Sequence, residues 1–337
     1  MKKFDSARVV FVALGLLACI LTGLSICIGS FPLSLWEIWQ ILTGQLREGL
    51  PVRVFWTLRM ARTVVAVLAG LGLGLGGGVY QTIFGNPLAS PDLTGVASGA
   101  SFGAACAIVL GAGSAFSIMS GAFVMGMLSL VFVLALVRMA HTGRTVTYVL
   151  AGVIVSAVAD AGLMCLKILA DPERELAAIE IWTMGSLAAV KASKLTVLVP
   201  AVLIPLVLLL LFRRQIAILS LGEETARGIG LDPVFWRAVL LGLTTLMISA
   251  LVSVTGVIAF VGLIAPHIAF LLLRKRSGPY LGLCALVGAC LLLAADLLAR
   301  SASGGAELPL SIFTVLFAVP VLAGLLCGKK EEQDGAA

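Results

Sequence analysis

The chain has 337 residues, of which 60% are hydrophobic and 12% charged, with a mean hydropathy of +1.13. This excludes a soluble domain, which needs more polar surface to cover itself, and fits an all-α polytopic membrane protein whose outer faces are solvated by lipid. The formal net charge is +6, but the basic residues sit in small groups between apolar runs, which marks cytoplasmic loops rather than a nucleic-acid surface.

The apolar runs are continuous, not alternating, which argues against a transmembrane β-barrel. The 37 glycines suit close helix packing in lipid. Seven cysteines form no CxxC pair and lie mainly in apolar runs, so they read as small hydrophobes rather than as metal ligands or disulfides.

A bilayer-crossing helix needs about 20 apolar residues. On that rule the spans fall at 9–29, 60–82, 94–112, 116–138, 146–169, 195–212, 236–254, 256–273, 279–299 and 309–327. The seventh and eighth are separated only by Ser253 to Gly256, so nine is the alternative to ten. The first run is too long for the apolar core of a signal peptide and no A-x-A site follows it, so it is expected to be retained. The whole chain, 1–337, reads as a single transmembrane domain. It has a short cytoplasmic N-terminus (1–8), a polar loop (213–234) and a polar, frayed C-terminal tail (328–337). With both termini inside, the inner segments carry Lys2, Lys3, Arg8, Arg138, Arg144, Arg213, Arg214, Arg227, Arg237, Arg274, Lys275, Arg276, Lys329 and Lys330. The outer edges still hold Arg59, Arg62 and Arg300, among others, so the positive-inside bias is modest.

Several connectors carry signals of their own. Residues 30–58 hold Trp36 and Trp39 in a short amphipathic pattern that suits a membrane interface. Asp171 before Pro172 predicts a helix N-cap with proline at the first helical position. Six glycines between Gly70 and Gly78 predict very close helix contact or bending. Asn86, Pro87 and Pro91 predict a rigid cytoplasmic turn over 85–95; a simple helix connector is the plain alternative.

The segment 222–230 is a polar island between apolar runs. Gly222 is followed by Glu223 and Glu224, acids that suit the start of a helix, then Ala226 and Arg227; Gly228 and Gly230 are expected to end it in left-handed conformation. Asp232-Pro233 then opens the next helix. An ordinary well-capped polar loop is the alternative. Pro266 is expected to bend its span and free a backbone carbonyl. His267 lies about 10 Å along a helix from Arg274, near the inner interface, as a structural hydrogen-bonding group or a ligand contact. Asp160 and Lys167, seven residues apart, share one helix face and either pair, line a pathway or serve structure.

Other chemistry is missing from the sequence. There is no P-loop pattern, no HExxH and no G-x-S-x-G. Intramembrane ionisable residues are too few for a typical ion-coupled transporter. The chain reads as a pathway that borrows work from another protein, not as an enzyme.

In order along the chain, Arg59-Met60-Ala61-Arg62, Gln81, Asn86-Pro87-Leu88-Ala89, Pro91, Gly95 and Gly99-Ala100 are followed by Gly222, Glu223, Ala226, Ile229 and Gly230. Then come Phe260, Gly262, Leu263, Pro266, His267 and Ile268, and finally Asp296, Ala299, Arg300, Glu307, Leu308, Pro309, Thr314 and Pro320. Together, over about residues 55–327, they resemble the FecCD family of bacterial ABC importer permeases. The departures are mild: Ala61 stands where the family often has proline, Ala269-Phe270 where a basic residue usually follows, and Ser311 and Ala318 where glycine is common.

The resemblance implies a ten-helix subunit with the type II importer fold, paired with itself or a paralogous permease around a central pathway. Two ABC ATPase subunits, which carry the ATP and Mg, bind beneath, and a periplasmic or lipoprotein substrate-binding protein docks above; the chain itself needs no cofactor. It implies that 222–230 couples to the ATPase, that Arg59, Arg62 and Arg300 receive acidic groups of the binding protein, and that the fifth span gates. It also implies the cytoplasmic membrane of a bacterium and a bulky chelate cargo, iron(III)-siderophore being the commonest and haem or cobalamin the alternatives. The competing class is an ion-coupled secondary transporter acting alone.

Overall fold

The computed structural model describes residues 2–29, 31, 33–111, 113–141, 145–274, 276, 278–302 and 307–334, with side chains described between 7 and 324. Arg144, Lys275 and the tail from 335 therefore lie outside the described residues, as do the side chains of Lys2, Lys3, Lys329 and Lys330.

The chain begins with α1 (Lys2–Cys27) and the short α2 (Leu35–Leu42). Next, α3 (Leu50–Arg53) runs through a π-helical stretch (Val54–Met60) into α4 (Ala61–Ile83). A 3-10 turn (Pro91–Thr94) leads to α5 (Val96–Val109), α6 (Ala115–Met139), α7 (Thr145–Leu169) and the short α8 (Glu175–Thr183). Then follow α9 (Leu195–Leu211), α10 (Arg213–Leu219), α11 (Glu223–Gly228), α12 (Pro233–Thr255), α13 (Val261–Leu273), α14 (Tyr280–Ser301) and α15 (Leu310–Asp334). Seven helices are long and apolar enough to span a bilayer, and three shorter apolar ones make ten among the described residues. The seventh and eighth spans are distinct.

The glycine-rich α4 is the buried centre. An added Cβ at Gly70 or Gly74 would collide with the backbone of Gly288 or Cys284 on α14, and one at Gly77 with the Gly262 carbonyl on α13. The small residues bring backbones together where side chains would hold them apart. By contrast α1 and α7 are mostly peripheral, with Val12, Leu16 and Ile20 exposed on one and Val146, Leu150, Val153 and Val158 on the other.

The eighth span differs from the expected continuous helix over 256–273. Residues 256–260 are not helical; Gly256 and Phe260 take positive φ of 69° and 65°. An irregular backbone at this depth must find partners within the protein. Ser311 Oγ donates to the Val257 carbonyl at 3.2 Å, and the Ser186 amide donates to the Thr255 carbonyl at 2.8 Å. In α13, Pro266 lacks the N–H that would serve Gly262, whose carbonyl lies against Gly77. The neighbouring Leu263 carbonyl accepts from Gln81 Nε2 at 3.0 Å. Gln81 thus ties α4 to the turn of α13 that precedes Pro266.

The Asp171 cap changes in detail: its Oδ1 accepts from the Glu173 and Arg174 amides at 3.0 Å, but the helix proper begins later, at Glu175. Ser34 sets the start of α2 through a complete capping box with Glu37.

Candidate functional site

The polar island forms as expected, with one correction. Gly222 takes φ 101° and α11 begins at Glu223. Gly230 takes φ 81°, its amide donates to Arg227 O at 3.0 Å, and the Leu231 amide donates to Ala226 O at 2.9 Å. This is a Schellman ending carried by Gly230 alone; Gly228 stays within the right-handed helix. Ala226 is fully buried and pins the short helix to the bundle. Asp232 Oδ1 caps α12 from the Val234 amide at 3.0 Å. The element following α11 is this long helix, and a short helix, α10, precedes it.

The two acids have different roles. Glu224 is exposed, as is Arg227. Glu223 turns inward and forms an ion pair with Arg237, which is 3% exposed; Arg227 stands 4.0 Å from the same carboxylate. Only Glu224 of the acidic pair therefore projects into water. Buried Arg237 needs a carboxylate, because an uncompensated charge there costs roughly 3–5 kcal/mol. Around the exposed acid, Leu221, Ile229, Val234 and Phe235 also face solvent.

Arg237 continues the connection inward. Its guanidinium lies 5.9 Å from the ring centre of Tyr148 on α7. Tyr148 meets Phe84 at 5.9 Å, Phe84 meets Tyr80 at 5.6 Å, and Tyr80 Oη lies 2.9 Å from Thr94 Oγ1. Thr94 donates in turn to the Pro91 carbonyl at 2.9 Å. The turn over 85–95 thus sits beside the polar island. Asn86 Oδ1 accepts from the Leu88 amide at 2.9 Å across Pro87, and Pro91 is buried. α7 crosses this turn at Gly152, where a Cβ would strike the Leu93 carbonyl. Polar island, proline turn and fifth span form one contiguous packed unit. None of the motifs pointed to Arg237 or Tyr148. The available signal was that Arg237 is the only charged residue inside an otherwise apolar run.

At the opposite end the three outer arginines come together, but they turn inward. Arg59 is 5% exposed and Arg300 8%. Arg59 donates to the Ile26 and Phe31 carbonyls at 3.0 and 2.6 Å; Arg300 donates to the Ser25 and Ile28 carbonyls at 2.9 and 3.0 Å. These are orphan carbonyls at and just beyond the last turn of α1, whose negative end cations favour. Asp296, fully buried, accepts from Arg300 at 2.6 Å and pairs with Arg62 at 2.8 Å. Arg62 also reaches Glu307 at 2.6 Å. Ser25 Oγ lies 2.8 Å from Thr63 Oγ1 and accepts from Arg300 at 2.6 Å. A cavity of about 190 Å³ opens over this cluster, lined by all three arginines and Glu307. The sequence read these residues as an exposed rim. Desolvation opposes this inward arrangement, and such cations are tolerated there only because several acceptors converge on them.

The remaining candidates separate. Lys167 pairs with Glu180 on α8 at 2.8 Å, not with Asp160. Asp160 is half-buried on α7. Pro266 and His267 are buried in α13, which packs on α4 and α14.

Residues 16–327 match the FecCD transport family. The chain is 33% identical to the hemin transport system permease protein HmuU of Yersinia pestis, over 91% of this chain and 92% of that one. It is 35% identical to the vitamin B12 import system permease protein BtuC of Escherichia coli O127:H6, over 90% of each. Its structure superposes on an inward-facing conformation of a metal-chelate type ABC transporter with a TM-score of 0.83, at 32% identity, over 96% of this chain and 99% of that one. The long α4–α14 contact, the interrupted eighth span and the ordered motifs therefore have one explanation: the chain belongs to the FecCD transport family.

Proposed function

We propose that the chain is the membrane-spanning subunit of an ATP-driven importer of a bulky metal chelate. The observation that carries this reading is the route from solvent-facing α11 through Glu223, Arg237 and Tyr148 to α7. A partner that grips Glu224 and Arg227 would move a helix of the bundle, not just a loop. In this reading the partner is a pair of ABC ATPases holding ATP and Mg, at the cytoplasmic face of a bacterial membrane, with both chain termini on that side. The named relatives favour haem or cobalamin over the iron(III)-siderophore that the resemblance first suggested.

A second copy, or a paralogous permease, packs beside α7 in this proposal. Asp160 supports it, because among the described residues it has no ion-pair partner, and a carboxylate facing lipid is costly. The substrate-binding protein docks at the other end, over the cavity lined by Arg59, Arg62 and Arg300. Its acidic groups would compete most readily with Glu307, the more exposed of the two carboxylates on Arg62, and would steer docking more than supply affinity.

The test is uptake into proteoliposomes holding the chain with its co-expressed ATPase and binding protein. ATP-dependent uptake of a labelled chelate is expected, and competition among haem, cobalamin and ferric siderophore assigns the cargo. Uptake driven by an ion gradient without the ATPase would overturn the proposal in favour of a secondary transporter.

A further inference from the structure

The end of the bundle that carries α11 holds a second cavity, of about 350 Å³, separate from the coupling island. Arg213 and Arg214 at the start of α10 line it from one side, and Arg276, just before α14, from the other. Its remaining wall is largely apolar, with Ile216, Ala217 and Leu281. None of the three guanidiniums has a carboxylate partner among the described residues; Arg213 and Arg214 are exposed and Arg276 is half-buried. Three like charges around one hollow repel one another, and an anion between them would relieve that repulsion.

The cavity's level in the bundle narrows what that anion is. Arg213 follows α9 after a single residue, and the other wall is the start of α14. The hollow thus sits where the spans leave the bilayer. Above it, α9 exposes Ile204, Val207 and Leu211. Beside α14, Phe11 of α1 lies against Gly282. A polar head in the cavity would leave its tails along apolar helix surface. Arg276 is also held in place, with Nη1 donating to Gln81 O at 3.3 Å and its guanidinium 5.5 Å from the Phe270 ring centre. A guanidinium fixed in this way loses little freedom on binding an oxyanion.

We propose that this basic cavity holds the phosphate of an anionic phospholipid, with the acyl chains lying along α9 and α1. Basic pockets between helices at the cytoplasmic level are built for such headgroups. The bound lipid ties the start of α10, and hence the coupling island, to the membrane surface.

The test uses the full chain in phosphatidylcholine nanodiscs, with native mass spectrometry after exchange of phosphatidylglycerol against phosphatidylcholine. Retention of phosphatidylglycerol is expected to exceed that of phosphatidylcholine at least tenfold. The R213Q/R214Q variant should abolish the preference, and R276Q should reduce it. R213K/R214K should keep most of it. R138Q, an exposed arginine outside the cavity, should leave it unchanged and controls for general charge. Equal retention of both lipids by the wild type would overturn the proposal, as would an unaltered preference in R213Q/R214Q. A loss in R213Q/R214Q matched by an equal loss in R213K/R214K would point to misfolding and also count against it. Competition by glycerol 3-phosphate at concentrations equal to the lipid would mean a free phosphate site instead. Loss of ATPase assembly in R213Q/R214Q with lipid preference intact would assign the arginines to acidic side chains of that partner.

Discussion

At one end of the bundle Arg59, Arg62 and Arg300 are drawn inward, onto α1 carbonyls and two carboxylates. At the other, Glu224 and Arg227 stand in solvent, and only Glu223 reaches in, to Arg237. The first arrangement joins three helix ends and leaves little charge free. The second divides an adjacent acid pair into an anchor and an exposed contact. In the proposed coupling role such a segment needs both: a free group for the partner and a fixed one for the helices. A staple needs only the fixed kind. The same residue types serve different ends according to what lies beneath them.

The sharpest way to break this contrast is Asp296→Ala. It removes the carboxylate shared by Arg62 and Arg300 and leaves two cations undercompensated. The expected loss is about 3–5 kcal/mol, read as a collapse in folded yield and thermal stability in mild detergent. Near wild-type stability would show that the α1 carbonyls and Glu307 suffice. Next comes Arg237→Met, which cuts the route between α11 and Tyr148. ATP-coupled uptake should fall at least about tenfold, the equivalent of roughly 1.4 kcal/mol, while the ATPase still assembles. Arg237→Lys should retain part of the activity, since it keeps the ion pair but not the planar stacking. Unchanged uptake in Arg237→Met would remove this route from the coupling scheme.

Smaller effects separate the two acids. Glu224→Lys should change stability by no more than about 0.5 kcal/mol, as for most exposed positions, yet weaken ATPase association in a pull-down, more so at low salt. Glu223→Lys should lose both stability and association, because it sets a second cation against Arg237. If the two variants behave alike, the division between anchor and contact is wrong.

The fold was legible in the sequence because apolar length and glycine spacing are local. Ten spans could be drawn from runs of residues, and the turns at Gly222, Gly230 and Pro91 from backbone chemistry. The directions of the charged side chains could not be drawn that way. Arg62 and Asp296 are 234 residues apart, and Glu223 finds Arg237 only because Gly230 folds α11 back on α12. The pairing of Gln81 with the Leu263 carbonyl was hidden for the same reason. Sequence marked both members as motif residues, but not that they meet. The interrupted eighth span was missed because residues 256–260 are as apolar as a helix; their conformation is held by Ser311 and the loop at Gly185 and Ser186, which lie far along the chain.

The gentlest test concerns α2, whose start is fixed by a local capping box while Ile38 and Ile41 pack against Val54 and Phe55. Ser34 donates to Glu37 Oε2 through its amide at 2.8 Å and its hydroxyl at 2.7 Å, and Oγ accepts from the Glu37 amide at 3.1 Å. The Ser34 amide, and to a lesser degree its hydroxyl, holds the Glu37 carboxyl below its ordinary value. A depressed carboxylate contributes stability that is present above its unfolded pKa and lost as pH falls through the folded one. The start of α2 should therefore be intact at neutral pH and loosen only below the usual range for a glutamate. Trp36 and Trp39, both exposed on this helix, report it directly. Their fluorescence should titrate in acid in the wild type, and the transition should vanish in Glu37→Gln, which can still accept a hydrogen bond but cannot ionise. Ser34→Ala should instead raise the apparent midpoint toward the ordinary glutamate value, because the hydroxyl that favours the ionised form is gone while the backbone amide remains. A midpoint unmoved by Ser34→Ala would leave the amide as the whole cause of the shift and reduce the capping box to half its reciprocal pair.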